Sequence, residues 1–344
     1  MMCIEPKFMR LALEQAYFAV GVSRPNPPVG AVVVANGVVV GKGFTQAPGL
    51  PHAEVMALAD AGGRAIGADL WVTLEPCCHY GRTPPCTLAI CNAGIRRVFY
   101  SHGDLNPLVC SQSKSILEAS GIQVFGGVIA NEINAFYEAY DYFVRTKRTF
   151  IELKVAQTQD GFIAGKNGER LAITGEEANS WTNRLRAASD AILIGAGTLE
   201  ADDPLLSLRG EAGNPPERII LAGKKTISLN NQMFYKGKPP IVYSQVPQPE
   251  IENLADVRLL KHESFASNWN QIIDDLSKAG MHRLLVETGS RLSSLILEAC
   301  AWNRYNVWVS PKKALEGLSW ALKVEVKDTS EDQLVSFFNT NNNQ

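Results

Sequence analysis

His52-Ala53-Glu54, followed by Pro76-Cys77 and then Cys86, offers one imidazole, two thiols and a carboxylate. One nitrogen and two sulfur donors suit a zinc ion, one per chain, and three protein ligands leave a fourth tetrahedral position for water. Zinc lowers the pKa of such a water toward neutrality, and a nearby carboxylate can carry its proton to a leaving amine. The pattern therefore reads as a site that replaces an amino group on an electron-poor ring by oxygen. His52, Cys77 and Cys86 would hold the metal and Glu54 would be catalytic. A structural zinc site with an incidental glutamate is the alternative, but such sites close the shell with a fourth Cys or His at short spacing. Cys78 could compete with Cys77 as a ligand; Pro76-Cys77 matches the deaminase pattern better, which leaves Cys78 packed behind the site.

The surrounding elements must bring these groups together. Gly49-Leu50-Pro51 ends a loop and Ala53–Ala59 holds good helix formers with an apolar stripe, so His52 and Glu54 lie at a helix entrance, the positive end of its dipole. Leu70–Leu74 reads as a buried strand, and Glu75-Pro76-Cys77 is predicted to open a helical turn with proline in an early position. Cys86 returns after the polar, proline-rich segment His79–Pro85. Nucleobase deaminases close their cysteine pair with two intervening residues. Here there are eight, including a histidine, a tyrosine and an arginine.

At 344 residues the chain exceeds what one core usually serves, and 46% hydrophobic residues supply two. A net charge of −2 gives no broad basic face, which argues for a small-molecule substrate and against nucleic acid. Seven cysteines without a pairing pattern, no signal-peptide pattern at the N-terminus and no apolar run of membrane-spanning length point to a cytoplasmic protein with no membrane partner. Helices and strands alternate from a helix at Phe8–Val20, through a hairpin turning on Asn36-Gly37, to a helix at Asn131–Arg145. That order predicts an α/β three-layer sandwich. The basic stretch Arg145–Arg148 marks a boundary between domains 1–147 and 148–344.

The second half opens with the strand Phe150–Ala156 and a turn at Asp160-Gly161. A short buried strand, Ala191–Ile194, runs into Gly195-Ala196-Gly197-Thr198. Glycines at a strand-to-helix turn let backbone N–H groups approach a phosphate, although Glu200 stands where the third glycine of the dinucleotide fingerprint would be and a plain tight turn fits equally. A second such junction, Arg283–Val286 into Glu287-Thr288-Gly289-Ser290, suits a ligand with several phosphates, such as a nicotinamide dinucleotide.

His52-Ala-Glu54, Glu75-Pro-Cys77, Gly81-Arg-Thr-Pro-Pro-Cys86 and Asp104-Leu-Asn106-Pro107 together resemble the bifunctional riboflavin-biosynthesis deaminase/reductase family. Leu153-Lys154, Asp160-Gly161, Ile173-Thr174 and Asp190–Gly197 through Pro204 look like its reductase half. The resemblance implies a cytidine-deaminase-like three-layer sandwich followed by a dihydrofolate-reductase-like α/β domain, in a homo-oligomer (dimer or tetramer). The first domain would hydrolyse the 2-amino group of 2,5-diamino-6-(5-phosphoribosylamino)pyrimidin-4-one; the second would reduce the ribosyl group to ribityl with NADPH. Asn26, His79, Arg82, Asp104 and Asn106 match the deaminase substrate positions; Asn26 and Asn106, both beside prolines, also suit ordinary turns. Ala156, Ala172, Thr198, Asp202, Gly289 and Ser290 match the cofactor side of the reductase, and Arg170, Arg186, Asp202, Leu206, Arg209 and Glu287 its substrate side. Arg186 and Arg209 are the natural partners for a 5′-phosphate. The chain departs from the family pattern at Thr45, Leu105, Cys110–Ser113, Ala172 and Thr288 and is shorter after Lys313. These departures keep a second reading open: a deaminase alone, with a degraded reductase-like domain in a structural role.

Overall fold

The computed structural model describes residues 5–105, 112–166, 169, 171–287, 289–314, 316–319, 324 and 331–339. The chain divides into two compact units: Met1–Lys147 with Ala212–Asn214, and Arg148–Glu211 with Pro215–Gln344.

In the first unit, α1 (Pro6–Ala19) starts on a proline, which lacks only an N–H that would be unpaired there anyway. It buries Phe8, Met9, Ala12, Leu13, Ala16 and Ala19, one face of a 3.6-residue repeat. Strands β1 (Gly30–Ala35) and β2 (Val38–Phe44) form the hairpin expected on Asn36-Gly37. Both turn residues have positive φ, +51° and +76°, as a two-residue loop between right-twisted strands requires. There follow α2 (Ala53–Ala61), β3 (Asp69–Leu74), α3 (Cys86–Asn92), β4 (Arg97–His102), α4 (Gln112–Ala119), β5 (Gln123–Phe125) and α5 (Ala130–Thr146). The sheet order is β2-β1-β3-β4-β5, antiparallel through β3 and parallel beyond it.

Glycines on β1 and β2 set how the helices seat. A Cβ at Gly30 would lie 2.0 Å from the Ala12 carbonyl oxygen of α1, and one at Gly43 would lie 2.4 Å from the Ala57 nitrogen of α2. Gly43 pairs with Ala31, the neighbour of Gly30, so alternation along the strand puts α1 and α2 on opposite faces. That is the three-layer arrangement.

One local expectation fails. Glu75-Pro76-Cys77 opens no helix; the backbone there is irregular and α3 begins only at Cys86, with Pro85 at its N-cap. The Glu75 N–H donates to the His102 carbonyl at 2.8 Å and the Cys77 carbonyl accepts from Thr87 N–H at 3.2 Å. Pairing with α3 thus takes the Cys77 carbonyl that a helical turn would have used.

The second unit runs β6 (Phe150–Thr158), β7 (Phe162–Ala164), α6 (Glu176–Ala187), β8 (Ala191–Gly195), α7 (Ala196–Asp202), β9 (Glu217–Gly223), β10 (Ile241–Ser244), β11 (Asp256–Leu259), α8 (Phe265–Lys278), β12 (Arg283–Glu287), α9 (Ser290–Glu298), β13 (Arg304–Ser310), β14 (Leu318–Ser319) and β15 (Gln333–Phe338). Eight strands order as β11-β10-β9-β8-β12-β6-β13-β15, all parallel except β15. Alternate residues feed two cores: Leu193, Ile219 and Val286 pack with α8 and α9, while Ile192, Ile194, Ile220 and Leu285 pack with Leu185 of α6 and Leu199 of α7. Burial on both faces explains why these strands read as continuous apolar runs. Among the described residues no helix is long and apolar enough to cross a membrane.

Candidate active sites

His52 is the N-cap of α2, Cys77 lies in the loop after β3, and Cys86 is the first residue of α3. Their ligand atoms all lie within 4.8 Å of one another. His52 Nδ1 is 3.6 Å from Cys77 Sγ and 3.3 Å from Cys86 Sγ. Ligands 2.0–2.3 Å from a tetrahedral zinc would be about 3.6 Å apart, so the spacing and the soft sulfur–imidazole donor set fit that ion. The other ring nitrogen, Nε2, is 3.3 Å from Thr83 Oγ1. The Cys77 thiol is pulled down to about 4, chiefly by the hydrogen bond from Cys86, whose own thiol is pushed up by that bond and by burial. Its bond to Cys77 raises His52 against the opposing effect of burial. Glu54 sits in the first turn of α2, 4% exposed and beside Cys86; burial pushes its carboxyl up to about 7. A carboxyl poised there can take up and release a proton near neutrality.

The loop carrying Cys77 is anchored from α4. Ser113 Oγ donates to Glu75 at 2.6 Å in the interior, and Cys78 Sγ reaches Gln112 Oε1 at 3.9 Å. Asn26 is half-buried in a turn closed by its N–H to Ser23 O at 2.9 Å and by Ser23 Oγ to its own carbonyl at 3.0 Å. His79 is half-buried, and Arg82 is exposed on the same Cys78–Pro85 segment. Asp104 is buried just past β4 and accepts a hydrogen bond from Tyr140 Oη at 3.4 Å. Beside it, His102 bonds Asn134 at 2.7 Å and Asp141 at 3.0 Å and stacks on Tyr137. So α5 positions the end of β4, a support that no sequence motif announces. Asn106 lies outside the described residues.

The second unit holds a cavity of about 1210 Å³ at the carboxyl ends of its parallel strands. Such an edge is where open α/β sheets bind ligands. Neighbouring strands β8 and β12 end there, so the two glycine junctions, 195–198 and 289–290, face one cavity. Ala156, Thr198, Asp202, Gly289, Ser290, Arg186, Leu206, Arg209 and Glu287 all line it. Ala172 does not: it is exposed, and its carbonyl accepts from Lys312 Nζ at 2.6 Å. Arg170 lies outside the described residues.

Arg186 and Glu287 form a buried fork, Nε and Nη2 each 2.8 Å from a carboxylate oxygen. Burial opposes ionisation of Glu287, but the Arg186 hydrogen bonds together with the charges of Arg186, Lys154 and Arg209 hold the carboxyl low. Lys154 on β6, which the site prediction missed, also lines the cavity, and burial lowers its pKa against the attraction of Glu287. The charged residues Glu152 and Lys154, alternating with Ile151, Leu153 and Val155 on a strand buried along most of its length, were the available signal. Asp203, Leu206 and Arg209, all on the cavity wall, have left-handed φ of +39°, +54° and +48°. Asp203 takes this conformation as the C-cap of α7, and Leu206 and Arg209 are non-glycine residues held in a costly backbone region.

Known proteins resemble both halves. The sequence family of the cytidine and deoxycytidylate deaminase zinc-binding region matches residues 2–102, and the RibD C-terminal domain matches residues 149–313. The riboflavin biosynthesis protein RibD of Aquifex aeolicus (strain VF5) is 38% identical over 320 residues, covering 92% of this chain and 89% of that protein. Its counterpart in Escherichia coli (strain K12) is 33% identical, covering 89% and 87%. The solved structure of a diaminohydroxyphosphoribosylaminopyrimidine deaminase/5-amino-6-(5-phosphoribosylamino)uracil reductase from Thermotoga maritima is similar at a TM-score of 0.76 and 32% identity, covering 96% of this chain and 97% of that one.

Proposed function

This chain belongs to the RibD family of riboflavin-biosynthesis proteins, and from that membership we propose how its two units divide the work. It is a bifunctional enzyme, a zinc-dependent deaminase and an NADPH-dependent reductase in one polypeptide, and nothing favours a deaminase with a disused second half. The first domain, 1–147, removes the 2-amino group of 2,5-diamino-6-(5-phosphoribosylamino)pyrimidin-4-one. The second, 148–344, reduces the ribosyl group of the product to ribityl. The observation that carries this reading is the coexistence in one chain of the His52–Cys77–Cys86 cluster beside buried Glu54 and the cavity holding both glycine junctions.

Zinc, when bound, supplies the Lewis acidity that makes water a nucleophile at neutral pH. His52, Cys77 and Cys86 hold it. Glu54 takes the proton from the attacking water and returns it to the departing amino group, a role its buried place in the first turn of α2, two residues from His52, suits. Asp104, fixed by Tyr140, and Asn26 read the pyrimidine edge, while His79 and Arg82 face the phosphoribosyl part.

NADPH, when bound, supplies hydride. The cavity exceeds the ~300–1,000 Å³ of a drug-sized pocket and so has room for a dinucleotide and a second ligand. Gly197 and Gly289 let backbone N–H groups approach its phosphates. Arg186 is committed to Glu287, so Arg209 is the arginine that meets the 5′-phosphate. Lys154, whose pKa burial lowers, supplies the proton that must accompany the hydride, with the Glu287 carboxylate holding the charge beside it. Family membership also suits a cytoplasmic setting and a homo-oligomer, which light scattering would test.

The test gives purified protein the pyrimidine substrate and follows ammonia release and NADPH oxidation separately. Both should occur. Ammonia without NADPH consumption breaks the reductase assignment, and folded, zinc-loaded protein releasing no ammonia breaks the deaminase assignment and with it the bifunctional reading.

A further inference from the structure

The eight residues between Cys77 and Cys86 include one side chain that touches the metal cluster without belonging to it. Thr83 Oγ1 lies 3.3 Å from His52 Nε2, while Nδ1 of the same ring faces both sulfurs at 3.3 and 3.6 Å. A neutral imidazole carries its proton on one nitrogen only. If Nδ1 ligates the metal, the proton is on Nε2, and the group it meets must accept it.

We propose that Thr83 is a positioning residue for the metal centre: its hydroxyl oxygen accepts the Nε2–H of His52 and thereby fixes both the tautomer and the angle of the ring. The inference rests on the zinc reading of the site. Partners of this kind, on the far side of a ligating histidine, orient the ring and raise its basicity. The backbone supports the assignment. Thr83's own carbonyl accepts from Gly81 N–H at 3.2 Å, which closes the tip of the segment. Pro84 and Pro85 then deliver Cys86 to the first position of α3, where its N–H points at Cys77 Sγ from 3.3 Å. The same short stretch therefore supplies a ligand and the acceptor that aims another ligand. Through Thr83 the eight-residue insertion thus has a contact at the metal cluster itself.

The experiment uses full-length protein and zinc or cobalt(II) alone as probe, with affinity read by competition against a chelator. Wild type should bind one equivalent. Thr83→Val, close in shape but without an acceptor, should bind about 10–100-fold more weakly. Thr83→Ser, which keeps the hydroxyl, should retain wild-type affinity. Cobalt-saturated Thr83→Val should keep its thiolate-to-metal charge-transfer bands but shift its ligand-field bands, as a turned ring would. Should Thr83→Val fail to fold, Thr83→Ala removes the hydroxyl without misplacing a methyl group and should give the same weakening. Wild-type affinity in Thr83→Val, or an equal loss in Thr83→Ser, overturns the inference while leaving the zinc site standing. Folded wild type that takes up no metal overturns the zinc reading, and this inference with it.

Discussion

The metal cluster of the first unit and the cavity of the second solve the problem of holding reactive groups in different ways. In the first, residues 52 to 86 contribute the three proposed metal ligands, the glutamate and Thr83, so the site is compact in sequence as well as in space. In the second, the walls come from strand ends between Lys154 and Ser290, and the contacts that matter join residues about a hundred positions apart, as Arg186 and Glu287 do. The difference follows from the ligand. An ion is held by a few strong directional donors, whereas a dinucleotide is held by many weak contacts spread along a sheet edge.

The sharpest way to separate the two regions is Glu54→Gln. Ammonia release should fall by about 10²–10⁴-fold, the usual worth of a general acid–base group, with one zinc still bound per chain. NADPH oxidation measured on the deaminated substrate should not change. Loss of zinc in this variant would mean that Glu54 is a ligand instead. Glu287→Gln makes the converse cut. It leaves the buried Arg186 guanidinium without its carboxylate, so NADPH oxidation should collapse and urea unfolding of the second unit should report about 3–5 kcal/mol of destabilisation. Ammonia release should persist.

A smaller effect tests how the fold positions the metal ligands. Gly43→Ala would place a methyl 2.4 Å from the Ala57 nitrogen and 2.5 Å from the Ala53 carbonyl oxygen, backbone atoms that cannot swing aside. Displacing α2 should cost about 1–3 kcal/mol and weaken zinc binding, since His52 caps that helix; NADPH affinity should hold.

The smallest expected effects are pH-dependent and of opposite sign in the two units. Burial lowers the pKa of His102, but its bonds to Asp141 and Asn134 prevail and raise it above the ordinary 6.5. Its contribution is complete below 6.5 and is lost as pH rises through the raised value. Glu287 is lowered below 4.5, so its contribution is complete above 4.5 and is lost as pH falls. Urea midpoints compared with His102→Gln and Glu287→Gln across pH should show the first gap closing with rising pH and the second with falling pH. Gaps independent of pH would break this reading of either group.

How much was legible in the sequence tracks the same contrast. The Asn36-Gly37 hairpin and the helices α1 and α5 depend on neighbours a few residues away, and they appear where expected. The helical turn expected at Glu75-Pro76-Cys77 depends on which later segment claims the Cys77 carbonyl, and Thr87 of α3 takes it. Arg186 read as a phosphate partner because nothing in its own segment reveals that Glu287 stands 2.8 Å away. Ala172 matched a cofactor position by alignment of motifs, yet its side falls outside the cavity wall.

The sequence by itself determined the chemistry of the metal site, because donor type and short-range spacing carry that information, and it determined that two α/β domains follow one another. Only the tertiary structure decided which nitrogen of His52 faces the sulfurs and that Thr83 stands behind the other. It also decided that Arg186 is committed to Glu287 and that buried Lys154 shares their cavity. Those facts are orientations and cross-sheet encounters, set by packing between segments distant in the chain, and no local pattern of residues encodes them.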